Sequence, residues 1–518
     1  MVGVPVYAIL YVMRSITLFT AFLTVLPVQN ICAQNTWDRV FDGSQALSIQ
    51  SITPPPAPVS DVEAVGARVT LLLNADLSNQ RAPVWPGYSV FGQPVLLYEA
   101  GLRSFLIAHP NPPAGYNAVF SSPRTVFEKQ GVISDLNFAF QFHRNINGID
   151  SFAYRYQTGD KPERDVHTII HERFHIYQEK GFAATQYGQR ASEPDAEDLA
   201  LAALEQRALK SALQAAAPAE SARFARQFLA VRAERYTRLP DSGDVETDQE
   251  RTEGMAQYIE ENLMARPDVA PVPGGVIPLI TRRLDRFPTI DDMEKGRYYA
   301  TGAAQGLLLD RAGHAGWKEL VSAGAAPHEL LALSYPMSSG TGQALLAEAK
   351  AEHGYNDLLR TGKQVAADFQ SLKAGAISDY ENSPGIEWKV PVPWDKETNF
   401  GFSGTNPDFK LNGRETLMPH LHVLDVSGKT FTLHFEDRPA VLGSGVRFHA
   451  AASAAVLIDG VSLPLSDGVY PFGTLSLSET GLNLSITKSG TLTVTGRKAV
   501  ITYLEKSFSR RSLLEKRD

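Results

Sequence analysis

Two histidines and a glutamate lie close together in the pentapeptide His171-Glu172-Arg173-Phe174-His175. On a helix, residues four apart lie one above the other on the same face, so both imidazoles can bind a single metal ion. The intervening Glu172 is rotated off that face and can reach a metal-bound water as general base. The pattern H-E-x-x-H therefore indicates one zinc ion, held by His171 and His175, and hydrolytic chemistry beside it.

The residues around this pentapeptide have the periodicity of an amphipathic helix. Apolar residues recur at spacings of three and four, at Val166, Ile169, Ile170, Phe174 and Tyr177. Asp165 is placed to cap the start of this helix. His167 lies one turn before His171 on the same face, but a fourth protein ligand would close the coordination position that catalysis needs open. We therefore assign His167 to the pocket lining or to the helix start.

A zinc hydrolase needs a third protein ligand in addition to the two histidines. The best candidate is Glu253, in a helix predicted around Glu246–Met264. Glu250 and Glu246 are its substitutes. The segment Thr252-Glu253-Gly254-Met255-Ala256-Gln257-Tyr258-Ile259-Glu260 resembles the Asn-Glu-Gly-Phe-Ala-x-Tyr-x-Glu block of gluzincin zinc metallopeptidases, especially the catalytic domain of the M1 aminopeptidase-like branch. The resemblance implies that Glu253 binds zinc.

A second block, Tyr299-Ala300-Thr301-Gly302, is similar to the Tyr-Glu-Lys-Gly block of the same branch. This similarity implies that the hydroxyl of Tyr299 stabilises the oxyanion of the transition state, with Tyr298 as the alternative. Arg297, two residues before Tyr299, either binds a negatively charged group of the substrate or lies on the surface, and we favour the surface position. Gln257 either orients a metal ligand through a hydrogen bond or faces solvent.

The chain departs from this family in two respects. Between His175 and Glu253 lie 77 residues, where the family has roughly twenty. Helices predicted at Glu197–Ala215 and Ser221–Tyr236 would fill this space as an insertion that hangs off the metal core. The Gly-x-Met-x-Asn block that recognises a free amine in the aminopeptidases is missing, so aminopeptidase specificity is not expected.

The composition changes along the chain and predicts an α+β protein. We expect a signal peptide at residues 1–33, an N-terminal β-rich region at 34–145, a mainly helical gluzincin-like catalytic domain at 146–375, a C-terminal β-sandwich at 376–505 and a basic tail at 506–518. In the first β region, strands are expected at Arg68–Leu73, Val95–Tyr98 and Ser104–Ala108. In the second they are expected at Thr430–Phe435, Val446–Ala450, Leu482–Thr487 and Thr491–Thr495. Further helices are expected at Arg297–Ala312 and Trp317–Ser322.

The apolar N-terminus is typical of an export signal. Ile16–Leu26 would be its core, Arg14 its positive region, and translation could begin at Met13 instead of Met1. An uncleaved membrane anchor is the alternative. The only cysteine, Cys32, lies in this segment, so the mature protein would have no disulfides. We therefore expect a periplasmic or secreted protein, in contact with a membrane only if the segment is retained.

The sequence thus predicts an exported metallopeptidase with one zinc ion, which hydrolyses peptide bonds of a peptide or protein substrate. A net charge of −8 gives no reason to expect nucleic acid as a partner. Two alternatives stay open: an exported binding protein for glycan or protein with a structural or degenerate zinc domain, and a zinc hydrolase of a non-peptide substrate. His420 and His422 share one face of a predicted strand, and we assign them a structural role. The oligomeric state is not indicated.

Overall fold

The computed structural model describes residues 61–503, except 100–102, 122, 132–139, 158, 185–192, 241, 393–397, 406 and 413. The predicted signal segment with Cys32, the two candidate start codons and the basic tail lie outside these residues. Among the described residues, no helix is long and apolar enough to cross a membrane.

The described chain begins with helix α1, Asp61–Arg81. We expected a strand at Arg68–Leu73, and this prediction is wrong. The buried residues Val65, Val69 and Leu72 recur at helical spacing, which places them on one face of α1 against the core. Arg68 is also buried and forms an ion pair with Asp165. Arg68 therefore belongs to the buried face of α1, although its charge made the sequence look like an alternating strand.

A six-stranded sheet follows α1. Its strands, in chain order, are β1 (Val95–Glu99), β2 (Arg103–Ile107), β3 (Asn117–Phe120), β4 (Val126–Gln130), β5 (Phe140–Ile146) and β6 (Ile149–Arg155). The strand order is β3-β4-β2-β1-β6-β5, with β1 and β6 parallel and the other neighbours antiparallel. The expected strands at Val95–Tyr98 and Ser104–Ala108 pair as β1 and β2. The boundary that we placed at residue 145 falls within β5.

Helix α2, Pro162–Gly181, carries the pentapeptide. Pro162 occupies the first turn, where its missing N–H costs no hydrogen bond. Asp165 does not cap this helix, as we had expected, because the helix begins three residues earlier. The carboxylate of Asp165 is instead buried, where it pairs with Arg68 and accepts a hydrogen bond from the hydroxyl of Tyr154 at 3.0 Å. This contact fixes α2 against α1 and the sheet.

Most of the following chain is helical. In order, the helices are α3 (Ala196–Gln214), α4 (Pro218–Arg238), α5 (Ser242–Gln249), a π-helical turn at Glu250–Gly254, α6 (Met255–Met264), α7 (Val276–Leu284), a second π-helical turn at Asp292–Gly296, α8 (Arg297–Ala312), α9 (Trp317–Ser322), α10 (Pro327–Ser334), α11 (Gly342–Glu352) and α12 (Tyr355–Glu381). The predicted bounds of α8 and α9 agree with the structure. Helices α7, α10, α11 and α12 are not among our predictions, and the boundary at residue 375 falls within α12.

A single hydrophobic core joins α1, the sheet, α2, α6 and α8. Trp85 is 1% exposed and lies between α2 and α6, with its ring centroid 5.3 Å from that of Phe174 and 6.4 Å from that of Tyr258. Trp317 at the start of α9 packs on both Trp85 and Tyr258. These aromatic contacts hold together the two helices that carry the candidate site.

The C-terminal region is β-rich. Its strands are β7 (Ile386–Pro391), β8 (Asn399–Gly404), β9 (Phe409–Asn412), β10 (Glu415–Met418), β11 (Leu421–Gly428), β12 (Phe431–Glu436), β13 (Ala440–Leu442), β14 (Gly445–Ala450), β15 (Ala455–Ile458), β16 (Val461–Ser462), β17 (Gly468–Phe472), β18 (Leu475–Glu479), β19 (Leu482–Ile486), β20 (Gly490–Thr495) and β21 (Lys498–Tyr503). The four strands that we expected correspond to β12, β14, β19 and β20.

These strands form an eight-stranded sheet, β17-β20-β21-β7-β14-β13-β10-β9, and a seven-stranded sheet, β16-β15-β18-β19-β12-β11-β8. Apolar side chains from both sheets share one core, with Phe435 of one sheet 5.4 Å from Phe448 of the other between ring centroids. Phe369 of α12 packs on Phe409 of β9 and joins this region to the helices. The structure confirms the α+β class, with β-rich regions before and after a mainly helical part.

Candidate metal centre

His171 and His175 lie on the same face of α2, with their ring centroids 4.8 Å apart. Their Nε2 atoms converge on one carboxylate oxygen, Glu253 Oε2, at 3.1 Å and 3.2 Å respectively. His171 is 1% exposed, whereas His175 and Glu253 are 17% and 19% exposed. The three residues that we predicted as zinc ligands therefore meet at one point that solvent can reach.

Each imidazole is held through its other nitrogen. Nδ1 of His171 lies 2.9 Å from Glu260 Oε2, and Nδ1 of His175 lies 2.6 Å from Gln178 Oε1. Because both of these oxygens only accept hydrogen bonds, each Nδ1 carries a proton and donates it. In the neutral imidazole, Nε2 then presents a lone pair to Glu253. Two lone pairs facing one carboxylate need a cation between them, either a proton or a metal ion.

The electrostatics of the three groups agree with that requirement. Burial opposes a charge on His171, but the carboxylates of Glu253 and Glu260 outweigh burial and raise the pKa of His171 to about 10. Burial likewise favours a neutral Glu253, but His175 and His171 hold the pKa of Glu253 well below its usual range. The cluster thus holds a positive charge against a carboxylate at neutral pH.

Glu172 lies buried beside this cluster, with 5% of its surface exposed. Burial raises the pKa of its carboxyl, while the neighbouring His175 and His171 act to lower it. A carboxyl group whose pKa is raised by its surroundings is better matched to proton transfer near neutral pH than an exposed one. The structure therefore brings Glu172 to the same place as the two histidines and Glu253.

Glu260 accepts three hydrogen bonds in this region. Its partners are His171, Nδ1 of His167 at 2.8 Å and the side-chain amide of Gln257 at 3.2 Å. Glu260 is fully buried, and burial alone would raise its pKa, but the hydrogen bonds and charges of His167 and His171 lower it to about 2. His167 therefore supports His171 through Glu260. Gln257 is buried rather than facing solvent, and also donates to Glu261 at 2.8 Å.

The π-helical turn decides which glutamate faces the histidines. In a regular α-helix, Glu246, Glu250 and Glu253 would lie on one face, because they are spaced by four and three. A π-helical turn has more residues per turn and changes that phase. Glu246 and Glu250 instead face the other way, into a buried cluster of arginines, and are not substitutes for Glu253 as we had allowed.

We refer to this cluster as the arginine network. It joins α3, α4, α5, the first π-helical turn and α8, and each member is at most 3% exposed; the members are Asp198, Glu205, Arg232, Arg235, Glu246, Glu250 and Arg297. The guanidinium of Arg232 contacts Glu250 at 2.6 Å, and Thr301 of α8 donates to Glu250 at 2.6 Å. Since Glu250 opens the turn that carries Glu253, the arginine network fixes the position of that turn.

Two of our expectations for this region are wrong. Arg297 is not a surface residue, because it is 3% exposed and pairs with Glu205 and Glu246. Helices α3 and α4, which lie between His175 and Glu253 in the sequence, are also not an insertion outside the protein core, as we had expected. They contribute to the main hydrophobic core and to the arginine network. They belong to the scaffold that positions the π-helical turn.

The two neighbouring tyrosines at the start of α8 differ. Tyr298 is fully buried, and its hydroxyl donates a hydrogen bond to the backbone carbonyl of Met293. The ring of Tyr299 stacks on the ring of His171, with centroids 5.5 Å apart and planes 24° apart. Tyr299, and not its alternative Tyr298, therefore lies beside the candidate metal ligands.

Sequence reasoning assigned no role to Gln178 and did not connect Glu260 with His171. The sequence could have indicated Glu260, because it is the last residue of the block that contains Glu253. Gln178 lies three residues after His175, hence on the same side of α2, but a glutamine at this spacing has many uses. In the C-terminal region, His420 lies in the turn before β11 and not on one strand with His422, as we had expected; both histidines are exposed, and His422 contacts Asp437 at 3.2 Å.

Comparison of the chain with protein-family models, with curated proteins and with solved structures finds no match. The resemblance to gluzincins therefore rests on the three sequence blocks around His171, Glu253 and Tyr299.

Proposed function

We propose that the chain is an exported zinc-dependent metallopeptidase. The observation that supports this most strongly is the convergence of His171 Nε2 and His175 Nε2 on Glu253 Oε2, with each imidazole oriented through its Nδ1. Two imidazoles and one carboxylate are a ligand set of catalytic zinc sites, which keep a fourth position open. Export itself is inferred from the apolar N-terminus alone.

The spacing of the donor atoms fits such an ion. Ligand atoms at about 2.0 Å from a tetrahedral zinc lie about 3.3 Å from one another. The distances from Glu253 Oε2 to the two Nε2 atoms are 3.1 Å and 3.2 Å. Hydrogen-bonded partners behind each metal ligand are also usual at zinc sites, and here Glu260 and Gln178 occupy those positions.

When bound, zinc would polarise the scissile carbonyl and lower the pKa of a coordinated water. Glu172 is the residue that would accept a proton at this site and return it to the leaving amine, because it is buried beside both histidines. Tyr299, stacked on His171, is the candidate to donate a hydrogen bond to the developing oxyanion. The roles of Glu172 and Tyr299 both depend on their closeness to the histidines.

The sheet offers a surface for an extended peptide. Among the described strands, β5 is the last on its side of the six-stranded sheet. The ring of Phe142 on β5 lies 6.5 Å from that of His175, and His143 contacts Glu179 of α2 at 2.8 Å. An extended chain can pair with the outermost strand of a sheet through backbone hydrogen bonds. A peptide substrate is thus favoured over a compact small molecule.

The proposal is tested on the purified protein by elemental analysis for zinc and by hydrolysis of a broad peptide library. The variant Glu172→Gln keeps the size of the side chain and removes the base. Glu163→Gln is the matched control, because Glu163 is exposed in the first turn of the same helix. We expect one zinc per chain in all three proteins and loss of hydrolysis in Glu172→Gln only.

Other outcomes would support the remaining functions. Stoichiometric zinc without hydrolysis of any peptide would favour the binding protein with a structural or degenerate zinc domain, or a hydrolase of non-peptide substrates. Hydrolysis that survives in Glu172→Gln would remove Glu172 from the mechanism. A protein that takes up no zinc under any loading condition would contradict the metal site itself.

A further inference from the structure

Gln178 connects two parts of the candidate centre that are distant in sequence. It is 6% exposed and lies on α2, three residues after His175. Its Oε1 lies 2.6 Å from His175 Nδ1. Its Nε2 donates hydrogen bonds to the backbone carbonyls of Arg251 at 3.1 Å and Thr252 at 3.0 Å. These two residues immediately precede Glu253 in the π-helical turn.

The orientation of this amide follows from its partners. Backbone carbonyl oxygens only accept hydrogen bonds, so the nitrogen of Gln178 must face Arg251 and Thr252. The oxygen is then left for His175 and can only accept from Nδ1. One side chain thus determines which ring nitrogen of His175 carries the proton, and at the same time anchors the turn that carries Glu253.

We propose that Gln178 is a positioning residue that couples His175 to Glu253 and prepares both for metal binding. The inference rests on the proposed function, since it assumes that these residues bind zinc. His171 is oriented differently, by a buried carboxylate on α6. Gln178 is neutral, so it orients His175 without adding another negative charge to a centre that already contains Glu172, Glu253 and Glu260.

Only an amide can make all three contacts at once, and this suggests two informative variants. In Gln178→Met both contacts are lost while the side chain stays similar in size. In Gln178→Glu a carboxylate oxygen can still accept from His175 Nδ1, but the other oxygen faces two backbone carbonyls and is repelled. The glutamate variant should therefore retain the orientation of His175 and lose the anchor on the π-helical turn.

A matched control is available in Gln206 on α3. Its side chain is 3% exposed, and its Nε2 donates to a backbone carbonyl, that of Arg286, at 3.2 Å. Gln206→Met therefore removes a buried amide and its hydrogen bond without touching the candidate centre. Any loss caused merely by deleting a buried amide should appear equally in Gln206→Met and Gln178→Met.

The experiment measures the zinc affinity of the full-length protein by competition with a chelator, together with the melting temperature of the metal-free protein. We expect zinc binding roughly 10- to 100-fold weaker in Gln178→Met, the usual effect of removing such an orienting partner. Gln178→Glu should fall between Gln178→Met and the wild type. Gln206→Met should bind zinc as the wild type does, even if its melting temperature falls.

Zinc affinity in Gln178→Met equal to that of the wild type would overturn the inference and leave the proposed function standing. An equal loss in Gln206→Met would also overturn it, because the effect would then come from general destabilisation. If the wild-type protein itself binds no zinc, the proposed function fails and this inference fails with it. The wild-type measurement therefore separates the two failures.

Discussion

The backbones of Gly254 and Gly302 are in direct contact. A Cβ atom added to Gly302 would lie 2.6 Å from the Cα of Gly254, and one added to Gly254 would lie 2.9 Å from the carbonyl oxygen of Tyr298. This contact brings the end of the first π-helical turn against the start of α8. Gly254 directly follows Glu253, and Gly302 lies three residues after Tyr299, so the absence of side chains at both positions permits this close approach.

We predict that Gly302→Ala destabilises the protein by about 1–3 kcal/mol, because the new methyl group would meet backbone atoms that cannot move independently. It should also weaken zinc binding, since α8 and the π-helical turn must separate. Gly66→Ala in α1 is the control, because an added Cβ there meets nothing within 4 Å. That variant should gain about 0.5–1 kcal/mol. Urea unfolding and chelator competition measure both effects, and unchanged values for Gly302→Ala would contradict the prediction.

The paired variants Tyr299→Phe and Tyr298→Phe separate catalysis from stability. If Tyr299 stabilises the oxyanion, Tyr299→Phe should lower kcat by roughly 10²–10³-fold with zinc content unchanged. Tyr298→Phe removes the hydrogen bond to Met293 and should cost about 1 kcal/mol of unfolding free energy with little change in kcat. Steady-state kinetics and urea unfolding of both variants make the comparison. A larger loss of kcat in Tyr298→Phe would reverse the two assignments.

The arginine network should be sensitive to the loss of any member. Arg235 contacts Asp198 and Glu205 at 3.0 Å and Glu246 at 2.7 Å, all within the protein interior. Arg235→Ala would leave these carboxylates buried without compensation, at a cost of about 3–5 kcal/mol. Arg360→Ala, at an ion pair whose arginine is 78% exposed, should change stability by less than about 0.5 kcal/mol. Equal losses of unfolding free energy in Arg235→Ala and Arg360→Ala, measured by urea unfolding, would contradict this prediction.

The arginine network also predicts how stability depends on pH. Burial would raise the pKa of Glu205, but Arg232, Arg235 and Arg297 outweigh it and lower this pKa to about 2. In the unfolded chain the pKa of a glutamate is about 4.3, so below that value the unfolded state binds protons that the folded state does not. The stabilisation is therefore complete above about pH 5 and is lost as the pH falls towards 2.

Urea unfolding between pH 7 and pH 3 measures this loss. The free energy of unfolding should fall steadily below pH 5, and the slope should be shallower in Glu205→Gln, which has no proton to gain at that position. Asp357→Asn removes an exposed carboxylate, 71% accessible, and should leave the slope unchanged. A slope that is the same in Glu205→Gln and the wild type would rule out this carboxylate as the source.

Much of the local structure could be read from the sequence because helical and strand periodicity are local properties. The spacing of four between His171 and His175, inside an apolar repeat, predicted a shared helix face, and α2 has both on one face. Strand Arg68–Leu73 failed for the opposite reason. The mixture of polar and apolar residues in this segment is typical of a strand. In the structure, the ion pair of Arg68 with Asp165 and the packing of the apolar side chains in the core stabilise a helix instead.

The sequence by itself determined which side chains could do chemistry at this centre, since residue types and short spacings are fixed by the chain. It favoured Glu253 over Glu246 and Glu250 but left all three open, because which of them faces the histidines depends on the π-helical turn. Nor could it identify Gln178, whose partners come from a segment more than 70 residues away. Only the tertiary structure decided both, because helical phase at the turn and the approach of α2 to it result from packing distributed over α3, α4 and α8.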